Sequence, residues 1–73
     1  MEIYVYNNRV YKDLYDLDAV LREEFSANVK NVHAVEVMVE DARFDGTYEV
    51  IENATEETIE QYKKEGYKVI KWE

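Results

Sequence analysis

Side chains able to act as nucleophiles are few. The chain has one serine, Ser26, one histidine, His33, and no cysteine. Nucleophilic catalysis needs a base within hydrogen-bond reach of the nucleophile and a third group that orients the base. Ser26 and His33 lie seven residues apart across Ser-Ala-Asn-Val-Lys-Asn, a stretch that reads as a loop, and no glycine-rich elbow flanks the serine. His33 reads as an ordinary strand-edge residue. Carboxylates present the opposite case, with 17 acids in 73 residues. General acid catalysis needs one carboxyl in an apolar pocket with a raised pKa, and no spacing in the sequence singles out such a pair. The expectation is a protein that is not an enzyme.

Metal and phosphate chemistry meet similar obstacles. Asp41, Asp45, Gly46, Glu49 and Glu52 fall at positions 1, 5, 6, 9 and 12 of an EF-hand calcium loop. Position 3 is Arg43, a cation where an oxygen ligand is required. The flanks also read as strands where an EF-hand has helices, and Asp45-Gly46 is more simply the turn of a β-hairpin. The two glycines, Gly46 and Gly66, are isolated and form no phosphate-cradling loop. No metal or other cofactor is expected. Asn53-Ala54-Thr55 matches the glycosylation acceptor pattern, which matters only in a secreted chain. The opening MEIYVYNN has neither the basic region nor the apolar run of a secretory signal. A soluble, cytoplasmic protein is expected, and the absence of cysteine agrees with a reducing compartment.

Binding is the remaining chemistry. A formal charge of −8 repels phosphates and anionic membranes and attracts basic protein surfaces. Compact, cysteine-free, strongly acidic proteins of this size resemble, in general character, the nucleic-acid mimics that phages and mobile elements use against host enzymes. That resemblance implies a protein-binding module or inhibitor whose carboxylates imitate phosphate spacing while tyrosines supply anchoring area. Its partner would be a basic surface of a nucleic-acid-binding protein, with no direct contact to nucleic acid or membrane. The expected contact residues are Tyr4, Tyr6, Tyr11 and Met38, with Glu36, Glu40, Asp41, Asp45, Glu49 and Glu52 for charge. The alternative is a homo-oligomeric structural or accessory protein, a homodimer in the simplest case, that packs Tyr4, Tyr6, Tyr11, Met38 and Ile51 of its open sheet face against a second copy.

These residues need elements to position them. Residues 3–6 are β-prone, Asn7-Asn8 suits a two-residue turn with positive φ, and 9–11 return. Asp13 reads as an N-cap, with Asp16 as an imperfect capping-box partner. Leu14, Leu17, Leu21 and Phe25 then form one helical stripe through about Ala27, with Asp18 and Arg22 as an i,i+4 ion pair. Val35, Val37 and Val39 alternate with Glu36, Met38 and Glu40, the pattern of a strand with one buried face. A hairpin at Asp45-Gly46 would return through 47–52. Asn53 or Thr55 caps a second helix that carries Glu56 and Glu57 in its first turn and Lys63 and Lys64 in its last, before Gly66 ends it. The last strand, 67–72, carries Val69, Ile70 and Trp72 and must lie centrally or be well packed.

The expected order is ββαββαβ, a single α+β domain over 1–73. Both helices would lie on one face of a mixed sheet, in a two-layer sandwich that resembles the ferredoxin-like split βαβ with an extra N-terminal hairpin strand. An exposed aromatic sheet on such a fold is similar to an RNA-recognition motif. However, the strand 47–51 lacks that family's basic and glycine residues, and the acids would repel phosphate. Turn pairing places Ile3, Val5 and Val10 on one side of the first hairpin and Tyr4, Tyr6, Arg9 and Tyr11 on the other. With helices over the valines, the tyrosine side would stay open. At this length the net stability is of order 4 to 11 kcal/mol.

Overall fold

The computed structural model describes residues 1–70 of the 73-residue chain; the expected packing of Trp72 falls outside them. The elements run β1 (Ile3–Tyr6), β2 (Arg9–Tyr11), α1 (Leu14–Ser26), α2 (Val32–Ala42), β3 (Glu49–Ile51), α3 (Glu56–Lys64) and β4 (Lys68–Ile70). The class is α+β, with a four-stranded mixed sheet in the order β3-β1-β2-β4. Strand β1 is antiparallel to both β2 and β3, and β4 is parallel to β2.

The local signals fold as their chemistry dictates. Asn7 and Asn8 take φ of 49° and 62°, and the hairpin pairs Tyr4 with Tyr11, Val5 with Val10 and Tyr6 with Arg9. Asp13 caps α1 by accepting the Tyr15 N–H at 2.8 Å. Thr55 caps α3 in a reciprocal box with Thr58. At the far end of α3, Gly66 takes φ of 95°, its N–H reaches the Lys63 carbonyl, and the Tyr67 N–H reaches that of Tyr62. That is the Schellman arrangement, and its apolar contact is the edge-to-face pair of Tyr62 and Tyr67 rings at 4.9 Å.

One expected strand is a helix. Residues 32–42 form α2, capped by Asn31, whose side chain accepts the Ala34 N–H at 3.2 Å. The valines fit a second period: Val35, Val39 and Ala42 fall three or four apart and are buried, whereas Val37 faces solvent. Packing against α1 decides between the two periods, overriding the β-preference of the valines. No hairpin forms at Asp45-Gly46. The Phe44 and Asp45 N–H groups both reach the Asp41 carbonyl as α2 ends, and Gly46 supplies the positive φ of 84° beyond it. The sheet therefore has four strands where five were expected, and the ferredoxin-like order does not form.

The layering changes with it. The path from β2 through α1 and α2 to β3 crosses the sheet one way, and the path from β3 through α3 to β4 crosses back. Right-handed crossovers in opposite directions place their helices on opposite faces. The packing agrees: Tyr4 and Tyr11 are buried with Leu17, Leu21, Val35, Val39 and Ala42, while Ile3 and Val10 are buried with Ala54 and Ile59. The sheet is thus sandwiched between helices on both sides, and the expected open face does not exist. Strand β4 lies at an edge, where Val69 packs toward α3 and Ile70 toward α1 and α2.

Candidate functional site

The expected anchors divide at once. Tyr4 and Tyr11 are core residues under α1 and α2, and Tyr6 packs beside them with its hydroxyl donating to Glu24 at 3.2 Å. Tyr4 stacks edge-to-face on Tyr48, ring centroids 6.0 Å apart, and its hydroxyl donates to Glu2 at 2.5 Å. Burial, followed by the neighbouring Glu2 carboxylate, holds the Tyr4 phenol above its usual range. An oligomer joined through Tyr4, Tyr6 and Tyr11 would have to displace two helices, so that route is closed. Ile51 belongs to the same sandwich, packed on the α3 side, and Met38 lies partly exposed on α2.

The expected carboxylates do not form one flat face. Glu36, Glu40 and Asp41 lie on α2, Asp45 in the turn after it, Glu49 on the edge strand β3 and Glu52 just beyond. Glu40, Asp41, Asp45, Glu49 and Glu52 are exposed, whereas Glu36 is half-covered by an ion pair. Asp45 has a structural task, accepting from the Thr47 N–H at 3.0 Å and the Thr47 hydroxyl at 2.6 Å. Among the described residues no cluster of three histidine, cysteine or acidic side chains could hold a metal, and none of the helices is long and apolar enough to cross a membrane. Ser26 ends α1, and His33 lies exposed in the first turn of α2 instead of at a strand edge.

What the fold does assemble is a groove of about 480 Å³ between α1 and α2. Leu14, Asp18 and Arg22, one turn apart on α1, form one wall; Glu36, Val39, Glu40 and Arg43 form the other, and Phe44 and Tyr48 complete the lining. Arg22 does not close on Asp18, its i,i+4 neighbour. Its guanidinium reaches across to α2 and grips Glu36 with two nitrogens, at 2.7 and 3.2 Å. That grip holds the Glu36 carboxyl below its usual range. Arg43 is drawn to Glu2 at 3.3 Å, next to the Tyr4 hydroxyl. Asp18 is left in the wall with its carboxyl pushed up by burial, an effect that Arg22 opposes and Glu36 reinforces. Burial first, and Asp18 after it, raise the Tyr48 phenol.

Phe44 lies at this groove and is 83 % exposed, an aromatic ring presented to solvent between Asp41 and Asp45. Sequence reasoning gave Phe44, Asp18 and Arg43 no binding role, because the groove they line exists only once 32–42 is a helix beside α1. Asn31 as an N-cap signal and the Val35, Val39, Ala42 spacing were the available clues. No family model matches the chain, and neither a curated protein nor a solved structure matches it.

Proposed function

We propose that the protein is a small protein-binding module, acting as an inhibitor by occupying a basic surface that its partner uses for nucleic acid. The observation that carries this reading is Phe44, exposed beside the exposed acids Glu40, Asp41 and Asp45, none of which has an ion-pair partner among the described residues, on a chain of net charge −8. A ring left in solvent forfeits its burial free energy, and a partner pocket would recover it. The surrounding carboxylates would steer encounter with a basic surface and exclude acidic competitors. The contact surface is the end of α2 with the following turn, and the edge-strand acids Glu49 and Glu52 extend the field. Tyr4 and Tyr11, buried under α1 and α2, are not part of this surface.

The test is capture from a host lysate on immobilised protein, at low and high salt, with the bound proteins identified by mass spectrometry. Wild type should retain basic nucleic-acid-binding proteins at low salt and release them at high salt. Phe44→Ala should weaken capture at least about tenfold, and Glu40→Gln with Asp41→Asn should lower it further. Capture indifferent to both salt and Phe44→Ala would reject the reading, and a salt-insensitive dimer in sedimentation would favour self-association instead.

A further inference from the structure

The proposed partner is basic, and the groove between α1 and α2 indicates which basic group it offers. We propose that the groove receives an arginine side chain of that partner, held between the carboxylates of Asp18 and Glu40 with its plane against the Phe44 ring. The inference rests on the protein-binding reading but has its own geometry. Both guanidiniums of the groove are already engaged, Arg22 by Glu36 and Arg43 by Glu2. Asp18 and Glu40 line the same groove and have no hydrogen-bond or ion-pair partner among the described residues. The unmet demand is therefore for positive charge.

Shape selects among cations. The groove is apolar at Leu14, Val39 and Tyr48 and has Phe44 at its edge. A guanidinium is planar, weakly hydrated and forked; it can bridge two carboxylates while its faces lie on aromatic rings. A lysine ammonium is a compact, strongly hydrated charge that gains less from rings and loses more on leaving water. An anion would meet two free carboxylates and two guanidiniums already spoken for. Internal precedent lies in the same groove, where Arg22 grips Glu36 through two nitrogens.

The test uses capped tripeptides, acetyl-Gly-Arg-Gly-amide and its lysine counterpart, titrated into the full chain while side-chain carboxyl and ring resonances are followed by NMR. The arginine peptide should shift Asp18, Glu40 and Phe44 saturably at about millimolar concentration, with the lysine peptide at least about threefold weaker. Asp18→Asn and Glu40→Gln should each weaken binding about fivefold or more, with urea unfolding used to show that both variants remain folded. Equal response to both peptides, or a uniform shift over all carboxylates, would overturn the proposal. The two readings fail separately. If Phe44→Ala abolishes lysate capture while Asp18→Asn and Glu40→Gln leave it intact, the groove assignment falls and the binding module stands. If the arginine peptide titrates the groove but no basic protein is captured, the reverse holds.

Discussion

Truncating Tyr11 tests whether its side of the sheet is covered or open. Tyr11 is 1 % exposed, packed with Leu17, Leu21 and Val39 from two helices. A buried aromatic withdraws about 150–250 Å² from water, an upper contribution of about 4–6 kcal/mol at about 25 cal/mol per Å². Aromatic-to-alanine changes in packed cores cost about 3–5 kcal/mol. A chain of 73 residues has about 4–11 kcal/mol of net stability, so Tyr11→Ala should remove about a quarter of it or more. With a urea slope of about 1 kcal/mol per molar, the midpoint should fall by about 3 M or more, and a marginal parent would yield a variant unfolded in water. Far-UV circular dichroism against urea reads this directly. Tyr15→Ala is the control: that ring is 83 % exposed, and its loss should move stability by no more than about 0.5 kcal/mol. On an open face Tyr11 would contribute little beyond its cross-strand pair with Tyr4, about 0.2–1 kcal/mol. A cost below about 1 kcal/mol for Tyr11→Ala, or equal costs for the two variants, would refute the covered face.

Two further outcomes follow from the geometry. A Cβ built on Gly66 meets nothing within 4 Å, so Gly66→Ala isolates the backbone cost of φ at 95° and should lower stability by about 1–2 kcal/mol without altering the fold; a neutral effect in thermal unfolding would contradict the C-terminal cap. Below about pH 4.5 the ion pairs should weaken in a defined direction. The Glu2 carboxyl is held low by the Tyr4 hydroxyl, with burial opposing and Arg43 adding, and Glu36 is held low by Arg22. A lowered folded-state pKa gives stability that is complete above the usual carboxyl value of 4.5 and is lost as the pH falls through the folded value. Asp18 is raised by burial, so its ionisation opposes folding above its usual value of 3.8 and acid relieves it. The stability gap between parent and Glu36→Gln should therefore be largest at neutral pH, modest because both partners are about half exposed, and should close in acid. A gap that persists there, followed by thermal midpoints across pH, would count against the Arg22–Glu36 pair.

What the sequence determined by itself is local. The Asn7-Asn8 turn, the register of Tyr4 on Tyr11, the caps at Asp13 and Thr55 and the Gly66 helix end all follow from groups within a few residues of one another. Backbone conformation and short-range hydrogen bonds decide such features before any tertiary contact forms. The division of the hairpin into an Ile3, Val5, Val10 side and a Tyr4, Tyr6, Tyr11 side follows as well, because strand side chains alternate. What covers each side was not local. Residues 32–42 carry a two-residue and a helical period at once, and only packing of Val35, Val39 and Ala42 against α1 selects the helix. That single choice removes a strand, closes the tyrosine face, reverses the crossover that puts α3 on the opposite side and opens the groove that Asp18, Glu40 and Phe44 line. Tertiary packing therefore moved the candidate site from the sheet to the helix pair, because burial free energy summed over a whole face outweighs the intrinsic preference of any one segment.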